Sequence, residues 1–409
     1  MKKYLYSLFI MFLLILTTGC TQEKVSSGQE NTATHQKKAK NKEDTFNDQD
    51  KEKLEAELKQ YFLGVEEAVK NKNYDEFMKF QNPDNPLFYR EQARWIKAAI
   101  LYGKTKEATL SIGLYDIQVI SETQGFISFV VTMGFKNSEP TNNHIQYQII
   151  KTADGWKIND LPFQSMNKDN ITFYYLPENV REAEKYIEDT FQIVQFYKEN
   201  YRWNPDHVDV KLFTNREALA ASVPFPSLSG ESGDMDGSFK TLLLKDNPER
   251  TFSIFAHELT HRMLMDFTND NLTSLFQEGL ATYMENGVKK ENGKLVLDKK
   301  SLNKAIEKVL AACKHRYYSL ETLINIDSYD DKDINVYAYG FLVTNFLIET
   351  EGFNKMTKFE KLLKQSKYID NVDEHKSDMM NKRTLSAFEK VYGNLDQLSA
   401  AFKEFYKLK

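Results

Sequence analysis

The sequence predicts an α+β protein with two folded units. The first is a helix with a curved antiparallel sheet, and the second is a small mixed sheet followed by a mostly helical C-terminal lobe. Three observations carry this. Leu54, Leu58, Phe62, Val65 and Ala68 recur at three- and four-residue spacing, and the apolar period then changes to two between Thr109 and Ile158. From Ile171 strand-like and helix-like segments alternate. Beyond Asn247 helical spacing dominates to the C-terminus.

The elements follow in chain order. Lys2 and Lys3 precede an apolar run from Leu5 to Leu16, too short to span a bilayer comfortably but suited to an export signal. The run ends in Leu16-Thr17-Thr18-Gly19-Cys20, which resembles the lipobox of bacterial lipoproteins, with Thr17 where Leu is more usual. Residues 1–19 are therefore expected to be a signal peptide, and Cys20 the acylated first residue of an extracytoplasmic chain anchored to the membrane by lipid. Cys313 is then left without a partner, as a buried apolar residue. Residues 20–50 are rich in Gln, Glu, Lys, Asn, Ser, Thr and Asp and read as a solvated tether.

Folded structure is expected from residue 51. After the first helix, a second helical stretch covers Glu91–Leu101, and Thr109–Val119, Gly125–Phe135, Ile145–Thr152 and Trp156–Ile158 read as strands, the last after an Asp154-Gly155 turn. This order resembles the nuclear-transport-factor-like domains of many exported bacterial proteins. No clustered His, Asp or Cys occurs in residues 51–168, which favours a spacer or protein-contact role. In the second unit, residues 169–409, Thr172–Leu176, His207–Phe213 and Ser238–Leu244 read as strands and Val180–Tyr197 as a helix.

Composition bounds the function. The 409 residues are 41% hydrophobic and 13% aromatic, enough to pack cores. The 54 basic and 59 acidic residues leave a net charge of −5, with no basic footprint for nucleic acid.

The chemistry begins at Asn247-Pro248, a helix start with Asn as N-cap and Pro at the first helical position. Four residues apart on the ensuing helix, His257 and His261 face the same way, with Glu258 between them in an H-E-x-x-H pattern. Imidazole nitrogens from successive turns can reach one zinc ion at about 2.0–2.1 Å, and Glu258 can reach water at that ion without being a ligand. The chain holds only seven histidines, so coincidence is a poor account of the pattern. A third ligand is expected on a second helix, Ser274–Glu285, ending at Asn286-Gly287. Glu278 is preferred there, because Gly279 and Ala281 remove bulk and would let this helix approach the first. Glu285, two turns on, is the competitor, read as a solvated carboxylate or one supporting a ligand.

These residues resemble the gluzincin metallopeptidases, the thermolysin-like and aminopeptidase-N-like group. Glu278-Gly279-Leu280-Ala281-Thr282-Tyr283 matches the E-G-[FL]-A-x-Y of the aminopeptidase-like branch. The 16 residues between His261 and Glu278 are slightly fewer than in the best-known members, so the connecting loop must be shorter. The resemblance spans about Ile171 to Lys409. It implies one zinc per chain held by His257, His261 and Glu278, with Glu258 as general base. It also implies an oxyanion-stabilising role for Tyr337, in Tyr337-Ala338-Tyr339-Gly340, with Tyr339 and His315 as fallback donors. Gly233-Asp234-Met235-Asp236-Gly237 faintly resembles the G-x-M-E-N motif whose Glu holds a substrate's amine, which would make Asp236 a weak substrate-binding residue and Ser238–Leu244 the strand that pairs with the peptide.

The function expected is a membrane-anchored zinc metallopeptidase acting on peptides or proteins. Because Asp is one methylene shorter than Glu and Asp236 lies between glycines, endopeptidase action is expected over aminopeptidase action. The rival is a non-catalytic surface lipoprotein that binds a protein or peptide partner. A structural zinc would need a fourth protein ligand, and none lies close in sequence.

Overall fold

The computed structural model describes residues 46–105, 108–135, 139–223, 233–235, 239–242, 248–326, 334–369, 373 and 375–409. Cys20, the leader and most of the expected tether lie outside the described residues, as does Asp236. Phe46–Lys409 form one compact unit. No described helix is long and apolar enough to cross a membrane.

Helix α1 (Asp48–Lys70) starts where the Asn47 side chain accepts a hydrogen bond from the Asp50 amide, and it buries Leu58, Phe62, Val65 and Ala68, the stripe its spacing predicts. A short α2 (Tyr74–Lys79) and α3 (Pro86–Thr105) follow, then β1 (Ala108–Ser121), β2 (Gln124–Phe135), β3 (Thr141–Thr152) and β4 (Gly155–Ile158). These four strands form an antiparallel meander in sequence order. Register shifts at Leu114/Asp116 and Val119/Ser121 mark bulges in β1, which bend a strand and help curl the sheet around the helices. Gly155, which opens β4 after the turn, sits at φ +95°, where a side chain would be strained. Phe62, Phe77, Trp95, Ile127, Phe129 and Ile149 fill the space between sheet and helices.

The second sheet contains β5 (Gln164–Lys168), β6 (Ile171–Tyr175), β7 (Val208–Phe213), β8 (Gly233–Met235) and β9 (Phe239–Leu242), in the order β5-β6-β7-β9-β8. Helix α4 (Val180–Tyr201) makes the crossover between the parallel strands β6 and β7, and α5 (Arg216–Ser222) follows β7. Strand β5, which period alone did not reveal, precedes residue 169 but pairs with β6. Strand β9 lies within the expected Ser238–Leu244. It pairs with β7 on one side and β8 on the other, so it has no free edge for a peptide. That expectation is corrected: among the described residues, the strand that ends the sheet on this side is β8.

Among the described residues, eight helices build the C-terminal lobe: α6 (Pro248–Thr268), α7 (Ser274–Gly287), α8 (Lys299–Ala312), α9 (Leu320–Ile324), α10 (Val336–Glu351), α11 (Phe353–Lys364), α12 (Lys376–Tyr392) and α13 (Leu395–Tyr406). A hairpin of β10 (Val288–Glu291) and β11 (Lys294–Leu297) is inserted after α7. Gly287 is the last residue of α7 rather than a left-handed cap. A Cβ there would come 2.7 Å from Leu297 and 3.1 Å from Leu302, so the glycine makes room for β11 and α8.

The two β7 faces have different neighbours. Val208, Val210 and Leu212 belong to the core shared with α4, α6, α7 and α10, whereas Phe213 joins Ala218, Leu219 and Ala221 of α5 in the core of the N-terminal lobe.

Candidate metal centre

Helix α6 is fixed from behind at the level of the two histidines. The buried Tyr197 hydroxyl of α4 donates to the Ala256 carbonyl at 2.8 Å and lies 2.8 Å from the Thr260 hydroxyl. Trp203 Nε1 donates to Asp266 Oδ2 at 2.9 Å further along. On the other face the expected four-residue spacing brings His257 Nε2 and His261 Nε2 to 3.2 Å of one another.

Glu278 comes from α7, which packs on α6. Its Oε2 lies 3.3 Å from His257 Nε2 and 3.5 Å from His261 Nε2. Glu285 is not at this convergence. Its Oε2 is 2.9 Å from His257 Nδ1, on the opposite side of the ring, and its other oxygen pairs with the Arg250 guanidinium. With Glu285 accepting the Nδ1 proton, Nε2 is the ring atom that faces Glu278 and His261, and it offers a lone pair to a metal ion once its own proton is displaced.

Glycine shapes the approach of helices here, though not the approach expected. Gly279 faces α10, and a Cβ on it would lie 2.4 Å from the Gly340 carbonyl oxygen. A Cβ on Gly340 would lie 2.3 Å from the Leu275 carbonyl oxygen. Successive helical residues point about 100° apart, so Glu278 faces α6 while its neighbour meets a different helix. The bulk removed at Gly279 therefore lets α7 approach α10, which carries Tyr337 one turn before Gly340. Asn335 caps α10, its side chain accepting from the Ala338 amide at 2.9 Å.

Tyr337 is half-buried, with its ring centroid 6.4 Å from that of His257. Glu258, 8% exposed, follows His257 directly and its charge favours protonation of that imidazole. The fallback donors lie elsewhere. The Tyr339 hydroxyl is spent on the Arg316 carbonyl at 3.0 Å, and the His315 backbone pairs with Lys409 at the C-terminus.

Burial alone would keep His257 neutral. Glu278 and Glu285, with Glu258 nearby, outweigh it and raise the imidazole well above its ordinary range. Burial would likewise raise Glu278, but His261 and His257 hold its carboxyl well below the usual range. Glu285 is half-buried, which would also raise it, but His257 and Arg250 hold it down. The cluster thus stores a proton that a metal ion would displace.

The donor set fits zinc. Two imidazoles and a carboxylate match a catalytic site with an open fourth position. Ligands at about 2.0–2.1 Å from a tetrahedral zinc stand about 3.3 Å apart, against 3.2, 3.3 and 3.5 Å for the three donors here. Among the described residues, His257, His261 and Glu278 are the group whose donor atoms converge in this way.

Residues 228–388 match the family model for collagenase, peptidase family M9, a family of zinc metallopeptidases. The matched region contains His257, Glu258, His261, Glu278, Glu285 and Tyr337. No curated protein matches the chain. The similarity supports a zinc metallopeptidase acting on peptides or proteins, with zinc as cofactor, and is consistent with the gluzincin class.

Proposed function

We propose that this chain is a gluzincin-type endopeptidase whose zinc is held by His257, His261 and Glu278. The observation that carries the proposal is the spacing of their three donor atoms, close to that required around one tetrahedral zinc ion. When bound, zinc supplies a Lewis acid that polarises water and the peptide carbonyl. Glu258 accepts the water's proton and passes it to the leaving amine. The Tyr337 hydroxyl donates to the oxyanion that forms on the substrate, at the start of a helix whose position is set by Gly340. Glu285 keeps His257 in the tautomer that offers Nε2. Strand β8, terminal in its sheet among the described residues and packed on α6, gives an extended peptide backbone groups to pair with.

The experiment is digestion of a peptide library by the purified chain. Internal cleavage that stops on chelation and returns with zinc is expected, and N-acetylation of a cleaved peptide should leave its rate within about twofold. Cleavage unaffected by complete zinc removal would end the metallopeptidase reading, and a large rate loss on acetylation would replace endopeptidase with aminopeptidase action.

The proposal includes a lipid anchor on Cys20 that holds the enzyme on the outer side of a membrane, supported by the Lys2-Lys3 start, the Leu5–Leu16 run and the Thr17-Thr18-Gly19-Cys20 ending. Cys20→Ser protein is expected to leave the membrane fraction and to change electrophoretic mobility. Unchanged behaviour in both respects would remove the anchor from the account.

A further inference from the structure

The sheet face opposite the metal centre is charged where a strand face against another lobe is ordinarily apolar. Lys211 of β7 and Lys240 of β9 are register partners on adjacent parallel strands, and each is 1% exposed. Both are answered by the lobe formed by α1–α3 and β1–β4. Glu91 of α3, 5% exposed, places Oε2 2.6 Å from Lys211 Nζ and Oε1 3.9 Å from Lys240 Nζ. One carboxylate therefore straddles two neighbouring strands. Asp160, just after β4, is the second anion on Lys211, and Lys240 Nζ also donates to the Ser222 carbonyl of α5 at 2.9 Å. Trp95, one turn beyond Glu91, donates from Nε1 to the Ala221 carbonyl at 3.2 Å.

Burying four charged side chains is a poor way to gain stability, since well-packed apolar residues of similar volume commonly do as well or better. What such a cluster can do is favour one geometry, because a shift of β9 along β7 would leave a buried charge unmatched. The strand so placed is the one that carries β8, and both β8 and β9 lie against α6.

We infer that Glu91 is a positioning residue for the peptidase: through Lys211 and Lys240 it holds β9, and with it the edge strand β8, at the register from which a peptide is presented to the metal centre. The N-terminal lobe is then a working part of the enzyme and not a spacer. The inference rests on the peptidase reading for its kinetic consequence, but its structural consequence stands without a substrate.

The test uses Glu91→Gln in the full chain. Amide exchange at residues 233–235 and 239–242 is expected to accelerate about tenfold while that of α6 keeps its rate, because the loosened element is the edge and not the helix. With a peptide substrate, KM should rise about tenfold with kcat within about twofold, and zinc content should stay at the unmodified level. Unchanged exchange in β8 and β9 overturns the inference, as does a parallel loss in β9, α6, kcat and zinc, which is what a merely structural role predicts. If Glu91→Gln does not fold, Lys240→Met serves, since it removes one buried cation at similar volume and leaves Glu91 paired with Lys211. It should show the same split between edge and helix, and equal exchange in both overturns the inference. Failure of the unmodified chain to cleave any peptide would count against the peptidase and not the brace, which the exchange rates read on their own.

Discussion

Glu258→Gln protein is expected to bind zinc as the unmodified chain does and to cleave peptides about 10²–10⁴-fold more slowly. The substitution keeps the shape of a side chain that is 8% exposed and follows directly on His257. What it removes is the ability to take a proton from water and deliver it to the leaving nitrogen. Because His257, His261 and Glu278 are untouched, metal content and melting temperature should stay near those of the parent, and the loss should fall on kcat more than on KM. Single-turnover cleavage with elemental analysis on the same sample separates these quantities. A variant that keeps near-parental turnover would mean that another group moves the proton.

Gly340→Ala is expected to damage the centre from a distance. The new Cβ would stand 2.3 Å from the Leu275 carbonyl oxygen, a backbone atom one turn before Gly279 that has no rotamer to relieve the clash. Helices α7 and α10 must then separate or shift, at a cost of about 1–3 kcal/mol for one added methyl in a packed crossing. The activity loss should be larger than that cost suggests. Helix α7 carries Glu278 and α10 carries Tyr337, so a movement of several tenths of an ångström misplaces a metal donor and an oxyanion donor together. Zinc affinity and kcat should both fall about tenfold or more, measured by chelator competition and peptide cleavage. Parental values for both would show that the crossing does not set the geometry.

Much of the centre was legible in the sequence because it depends on local helical spacing. His257 and His261 need only one turn between them, and Glu278 stood out by the small residues beside it. The seven-residue step from Glu278 to Glu285 was legible too, since two turns return nearly to the same face. Which imidazole nitrogen Glu285 would meet was not, because that depends on how α7 lies across α6. Long-range order was the main loss. The sequence showed a strand near Phe239 but not that β8 would lie outside it, since strand order is a property of pairing rather than period. Gly279 was read as clearance for α6, and it serves α10 instead, a distinction set by a helix some 60 residues further on. Nothing in the local pattern of β7 or β9 marks Lys211 and Lys240 as buried, since lysines are mostly exposed. Their burial depends on Glu91 and Asp160, more than 50 residues away in sequence.

The central claim is that three side chains from two helices hold one zinc ion, and elemental analysis tests it most directly. The unmodified chain, purified without added metal and dialysed, is expected to carry about one zinc per molecule. His257→Ala, His261→Ala and Glu278→Ala proteins of intact circular dichroism should each carry well under half of that. Full zinc in any of the three would remove that residue from the ligand set, and a folded parent that takes up no zinc would contradict the account as a whole.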